Sequence, residues 1–246
     1  CLQITGYLKL RKNTSSAKDT PNDYEVALED VKVLNKVESK IPSSLTNLNS
    51  IEDIPADFSF LKLRKPKYSH IIQSRSKLKN LVRNYLENDL QFVEVETPLL
   101  FKSTPEGAKE FLVQFDDTVE NKSNLYYALP QSPQQFKQML MGSGVSKYYQ
   151  FAKCFRNETL RKDRQPEFTQ LDMEIAFGTG KEVMQIAGTI VTKAWNSYAV
   201  DAEDTQKLYT LDKQGNSVLV EKEEDILRMD YTDAMKTYGS DKPDLR

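Results

Sequence analysis

The 246-residue sequence is poor in the side chains on which many catalytic and metal sites depend. It has one histidine, His70, which excludes HExxH metalloproteases, two-histidine metal sites and chemistry needing several imidazoles. Its two cysteines, Cys1 and Cys154, are too few for a disulfide framework or a four-thiolate zinc site. No run approaches the ~18 consecutive apolar residues of a membrane span, so no membrane partner is expected. A net charge of −2 carries no global basic footprint for nucleic acid.

What is present suits one large globular domain, or one with a fragment of another, at 28% charged and 39% hydrophobic residues. Such a chain buries a sizeable core unaided. It begins at Cys1 rather than Met and closes without a stop signal, so both ends are expected to be cuts in a longer protein; no signal or transit segment is visible. Charge is unevenly spread. Residues 61–83 hold eight cations and no acid, and residues 201–230 hold nine acids against four bases. Taken alone, such runs read as solvated faces.

Residues 1–37 alternate as strands around a polar loop at Asn13–Asn22, and a Pro-, Ser- and Asn-rich linker follows. Residues 69–90 carry Leu78, Leu81, Val82, Tyr85 and Leu86 at helical steps. A strand at Phe92–Thr97 stops at Pro98, and another is expected at 125–130. Ser132 is expected to cap a helix whose first residue is Pro133 and whose apolar side is Phe136, Met139 and Leu140. Residues 147–177 read as two strands joined by a charged loop. Residues 181–199 read as a helix turning Val183, Ile186, Ile190 and Trp195 inward. A hairpin over 208–220 turns at Gly215-Asn216, and Thr232 is expected to cap a last short helix.

The strand pair at 147–177 concentrates the chemistry. Odd positions Tyr149, Phe151, Phe155, Leu171, Met173 and Ile175 are apolar. Even positions Arg156, Glu158, Gln170, Asp172 and Glu174 are polar, and alternation puts them on one shared surface. An exposed sheet face bearing salt bridges reads equally well from alternation alone. The loop Thr159–Pro166 favours a site: it is longer than a turn requires and holds Arg161, Lys162 and Arg164. Arg156 at its base suits a phosphate, and Phe168 offers a flat face to a purine.

These strings carry a resemblance. Phe155-Arg156-Asn157-Glu158, the loop, and Arg164-Gln165-Pro166-Glu167-Phe168-Thr169-Gln170-Leu171-Asp172-Met173-Glu174 resemble motif 2 of class II aminoacyl-tRNA synthetases, in the form of the aspartyl family. Glu94-Val95-Glu96-Thr97-Pro98 with the preceding helix resembles motif 1. Thr104-Pro105-Glu106-Gly107-Ala108, Leu129–Gln138 and Tyr238–Arg246 are similar to strings of its bacterial and mitochondrial branch. Lys153, Asn157 and Thr159 depart from the usual arginine, aspartate and acidic residue.

The resemblance implies an α+β fold: a class II synthetase antiparallel sheet with flanking helices, preceded by the end of an OB-type barrel. It divides the chain into barrel remnant 1–37, linker 38–66 and the first part of the catalytic domain 67–246, with motif 3 expected beyond Arg246. It implies ATP-dependent ligation of L-aspartate to tRNA(Asp) through an aspartyl-adenylate. Arg156 would be catalytic, on the α-phosphate and the aspartate carboxylate. ATP would be held by Arg156, Glu158, Gln165 and Phe168, and aspartate by Glu106, Ser132, Gln134, Lys137, Arg156, Gln170 and Asp172. The tRNA, or the γ-phosphate of ATP, would meet Arg161, Lys162 and Arg164. Asp172 and Glu174 would hold Mg²⁺ or the ammonium group, or would make a structural salt bridge. Residues 69–98 would form a homodimer surface, and for the basic run at 62–83 a structural role there competes with RNA binding. The mitochondrial matrix is the expected location, with bacterial cytoplasm as the alternative. The rival functions are a non-catalytic synthetase-like binding protein and an asparaginyl or lysyl relative.

Overall fold

The structure is a computed structural model that describes residues 1–11, 24–36, 54–104, 107, 109–114, 125–159, 161–162, 164–199, 207–212 and 214–244. The chain divides into two units, Cys1–Ser69 and His70–Arg246. Among the described residues no helix is long and apolar enough to cross a membrane.

In the first unit, β1 (Leu2–Leu10) pairs antiparallel with β2 (Tyr24–Val33), with a bulge between Thr5 and Gly6. A Cβ on Gly6 would sit 2.1 Å from the Ala27 carbonyl oxygen, so the bulge admits no side chain there. The expected loop Asn13–Asn22 and most of the linker lie outside the described residues. A four-residue helix, α1 (Phe60–Leu63), precedes α2 (Pro66–Asn84), which starts at a proline whose missing amide is no loss in a first turn.

The second unit is built on the apolar stripe of α2 and on a mixed sheet. The end of α2 widens into a π-turn, Tyr85–Asp89, which carries Leu86 into the core. Strand β3 (Val93–Glu94) is much shorter than the expected Phe92–Thr97, although Val95 still donates to the Tyr149 carbonyl at 3.0 Å. A smaller antiparallel pair joins β4 (Leu112–Gln114) to β5 (Tyr126–Ala128). Helix α3 (Gln134–Gly142) follows. Its N-cap is Pro133, with no side-chain cap, which corrects the expectation that Ser132 caps it.

Strands β6 (Lys147–Phe155) and β7 (Glu167–Ile175) form the long antiparallel hairpin expected from the alternation. β3 joins the far side of β6 in parallel, which the long excursion between them permits, so the sheet order is β3-β6-β7. Odd-numbered side chains toward the middle of the hairpin face the core, while Lys153 and Glu167 pair at the surface. Val82, Leu86, Phe92, Tyr149 and Ile190 are buried together, with Phe151, Leu171, Met173 and Ile175 packed against them. Ile186 and Ile190 come from α4 (Gly180–Ala199). Val183 and Trp195, expected inward, are exposed, because the core takes only the stripe of α4 that carries Ile186 and Ile190.

One polar cluster pins α2 to the sheet. Arg83 grips Glu94 with Nε–Oε2 at 2.6 Å and Nη2–Oε1 at 2.8 Å. The Tyr149 hydroxyl lies 2.9 Å from Glu87 Oε1 and 3.1 Å from Glu94 Oε2. The Arg83 hydrogen bond holds the Glu94 carboxyl below its usual range, against the opposing effect of burial. The chain continues through β8 (Tyr209–Leu211) and β9 (Ser217–Leu219) to α5 (Tyr231–Tyr238). Asp230 precedes α5 without a side-chain cap, so Thr232 is not the cap it was expected to be.

Candidate active site

The even face of the β6–β7 hairpin is more enclosed than an open sheet surface. Register pairs Tyr148 with Glu174, Gln150 with Asp172, Ala152 with Gln170 and Cys154 with Phe168. Tyr148, Gln150, Ala152 and Cys154 are all buried. α3 packs over this face and delivers Lys137 to it. Lys137 is 8% exposed, and its Nζ lies 3.0 Å from both Asp172 Oδ1 and Glu174 Oε2. Burial alone would depress the lysine; hydrogen bonds and charge from Glu174 and Asp172 outweigh it and raise its pKa. Asp172 Oδ2 is buried without a hydrogen-bond partner among the described residues.

This triad tests the expected magnesium ligands. Asp172 and Glu174 already share a lysine ammonium, and no group of three or more metal-ligating side chains occurs among the described residues. The contacts present are those of the salt-bridge alternative, with Asp172 Oδ2 left over.

A cavity of about 320 Å³, which none of the three triad residues lines, is bounded by Thr104, Gly107, Gln131, Ser132, Gln134, Gln135, Arg156 and Glu158. Arg156 leaves the end of β6, where its backbone N–H bonds the Pro166 carbonyl at 2.9 Å. Its Nε–H donates to the Gln131 carbonyl at 3.4 Å, and its guanidinium sits 5.2 Å from the Phe168 ring centroid. Among the described residues no carboxylate pairs with it. It is therefore an open cationic fork in a wall of amides and hydroxyls, suited to an anion.

Glu158 lines this cavity and also a broader one of about 920 Å³ with Gly107, Lys109, Asn157, Thr159, Arg161 and Arg164. Arg164 Nη1 donates to Glu158 Oε2 at 2.8 Å. With both partners substantially exposed, such a pair is worth about 0–1 kcal/mol and yields readily to a ligand.

The structure thus gathers Ser132, Gln134, Arg156 and Glu158 around one cavity, Lys137, Asp172 and Glu174 into one triad, and Arg161 and Arg164 at the second cavity. Gln170 lies on the buried face and accepts from the Cys154 thiol at 3.3 Å. Gln165 and Lys162 are exposed and line neither cavity. Glu106 lies outside the described residues. Sequence reasoning missed Thr104, Gln131 and Gln135 as lining residues. Gly107, named in the sequence only within the Thr104–Ala108 string, has φ +96°, and a Cβ there would meet Gln131 Oε1 at 2.4 Å.

Comparison with known proteins defines the class. The family model for tRNA synthetases class II (D, K and N) matches residues 51–246, and the chain belongs to that family. It is similar to the mitochondrial aspartate–tRNA ligase of Saccharomyces cerevisiae, at 46% identity over 100% of this chain and 36% of the relative. It is similar also to the aspartate–tRNA ligase of Mycoplasma capricolum, at 44% identity over 100% of the chain and 38% of the relative. The chain spans little more than a third of these relatives. A putative aspartyl-tRNA synthetase structure from Leishmania major superposes with a TM-score of 0.68 at 17% identity, over 87% of this chain and 43% of that one. The asparaginyl-tRNA synthetase of Pyrococcus horikoshii complexed with asparaginyl-adenylate superposes with a TM-score of 0.61 at 24% identity, over 79% and 42%. The fold is that of the class II synthetases.

Proposed function

We propose that this chain carries the ATP and amino-acid site of an aspartate–tRNA ligase. The carrying observation is Arg156, a guanidinium without a carboxylate partner among the described residues, set over Phe168 on the wall of a polar cavity. Identity of 44–46% to aspartate–tRNA ligases over the whole chain supports aspartate as the amino acid.

In the first step a carboxylate oxygen of aspartate attacks the α-phosphorus of ATP, and the bond to the bridging oxygen breaks with loss of pyrophosphate. In the second, a terminal ribose hydroxyl of tRNA attacks the activated carbonyl and AMP leaves. Charge accumulates on the α-phosphate oxygens, where the Arg156 fork donates. Phe168 is the stacking platform for adenine, and Glu158, released from Arg164, accepts from its amino group. Gln165 belongs to the same nucleotide site.

Ser132, Gln134 and Gln170 hold aspartate by hydrogen bonds, together with Glu106. Lys137 uses two of its three N–H donors on Asp172 and Glu174, which leaves one for the substrate side-chain carboxylate. The unpartnered Asp172 Oδ2 accepts from the substrate ammonium. No magnesium ligand is assigned, because Lys137 takes up Asp172 and Glu174.

Arg161 and Arg164, on the broader cavity, and Lys162, exposed outside it, meet tRNA(Asp). Residues 69–98 form a homodimer surface, in keeping with the exposure of Ile71, Ile72 and Val93. Residues 1–37 are the end of a barrel, 38–66 a linker and 67–246 catalytic. The mitochondrial matrix stands first as location and bacterial cytoplasm second, since both kinds of relative match closely.

The test is aspartate-dependent ATP–pyrophosphate exchange by the intact protein, with asparagine and lysine as controls. Arg156→Ala is expected to cost about 2.7–4 kcal/mol, a hundred- to thousandfold loss, by the scale of other lost oxyanion donors. Activity within a few fold of wild type overturns the assignment.

A further inference from the structure

Behind the cavity wall sits a carboxylate with no role in the reaction just described. Glu110 Oε1 accepts from the Thr104 backbone N–H at 2.8 Å and from the Thr104 hydroxyl at 3.1 Å. Its other oxygen accepts from the Ser103 hydroxyl at 2.5 Å. Three donors from two consecutive residues therefore converge on one side chain. Burial alone would raise this carboxyl, yet the hydrogen bonds from Ser103 and Thr104 outweigh it and hold the group ionised below its usual range.

The backbone of Glu110 is itself fixed on both sides. The Lys109 carbonyl accepts from the Asn157 N–H at 3.0 Å, next to Arg156. The Phe111 carbonyl accepts from the Leu129 N–H at 2.9 Å. Thr104, in contrast, is a wall shared by two cavities: the polar one with Arg156, and a small one of about 30 Å³ that Glu110 lines with Phe101 and Phe136. Those two rings pack at 4.7 Å and support the wall from behind. Glu110 thus ties a segment that faces the ligand to a frame that carries the Arg156 end of β6.

We propose that Glu110 is a positioning residue for the amino-acid side of the cavity, acting through its clip on Ser103 and Thr104. This rests on the proposed function. Charge-assisted hydrogen bonds to a carboxylate are strong enough for their loss to loosen the wall without unfolding the sheet behind it. The amino-acid pocket feels that loosening; the nucleotide elements Arg156, Glu158 and Phe168 sit on the hairpin and do not.

The experiment compares Glu110→Ala and Glu110→Gln with wild type in the intact protein. In ATP–pyrophosphate exchange, Glu110→Ala is expected to raise KM for aspartate about tenfold and to leave KM for ATP within about twofold. Glu110→Gln keeps an acceptor for the Thr104 amide and is expected to restore most of the aspartate KM. Amide hydrogen exchange reads the clip without turnover: Thr104 loses protection in the alanine variant and keeps it in the glutamine variant. An unchanged aspartate KM in Glu110→Ala, equal rises in both KM values, or unaltered Thr104 protection overturns the proposal. Absence of aspartate-dependent exchange in wild type overturns the proposed function instead, and the clip is then judged on Thr104 exchange alone.

Discussion

Replacing Lys137 with methionine isolates the buried triad. The side chain keeps its length and apolar stem and loses the ammonium that lies 3.0 Å from both Asp172 and Glu174. Removing one partner of a buried pair costs about 3–5 kcal/mol, because the remaining charge is stranded. Glu174 retains about a third of its exposure, so water screens part of the loss and about 2–3 kcal/mol is expected. That corresponds to a fall of about 4–12 °C in the thermal transition of a unit this size.

The pH dependence has a definite sign. The folded-state pKa of Lys137 is raised, so its contribution is fully present below the ordinary lysine value of 10.5 and is lost as pH rises through the folded value. Wild type therefore keeps the lysine's contribution undiminished from neutral pH to pH 9. In Lys137→Met two carboxylates two residues apart on one strand face are left without their cation. Protonating either relieves the repulsion, so the deficit relative to wild type shrinks as pH falls from 7 to 4. Calorimetry or circular dichroism melts at several pH values measure this. A shift below about 2 °C, or a deficit independent of pH, would refute the triad as a source of stability. The same variant is expected to raise KM for aspartate far more than KM for ATP.

Two further predictions concern the scaffold. Leu86 is fully buried in the π-turn, and Leu86→Ala is expected to cost about 2–5 kcal/mol in denaturant unfolding; a loss below about 1 kcal/mol would place it outside the core. Burial pushes the Cys154 thiol up, only partly opposed by Arg156, whereas Cys1 is exposed. Iodoacetamide at pH 8 should therefore label Cys1 and spare Cys154 until the protein is denatured, and equal native labelling would contradict the packing.

The hairpin and α2 were legible in the sequence because their order is local. Period-two alternation identified Tyr149 and Phe151 as core, and three- and four-residue steps identified Val82 and Leu86. The triad was legible only as separate charges. Lys137 and Asp172 are 35 positions apart, and no periodicity encodes that α3 lies over the even face of β7. Local signals also misled where tertiary packing decides. Ser132 has the chemistry of a cap, but the helix begins beyond Pro133 and leaves Ser132 on the cavity wall. Val183 and Trp195 have the right phase on α4, yet the core closes on Ile186 and Ile190 and leaves them exposed. Glu110 carried no sequence signal, since a lone glutamate between Lys109 and Phe111 looks like any strand-edge acid.

The two faces of β6 have a consequence for what lengths the chain tolerates. Tyr149 and Phe151 on one side belong to the core shared with the helices, while Tyr148, Gln150, Ala152 and Cys154 are buried on the other, the face over which α3 packs. Inserting or deleting a single residue between Lys147 and Phe155 exchanges the two inventories, turning Tyr149 and Phe151 toward the α3 face and Gln150 into the core. Any such change is lost twice over, in folding and in recognition. The connection between Arg156 and Pro166 bears no such parity, because the backbone bond joining those two residues closes it at the base. Among related chains, length polymorphism should therefore collect between Arg156 and Pro166 and be absent from the strand that precedes it.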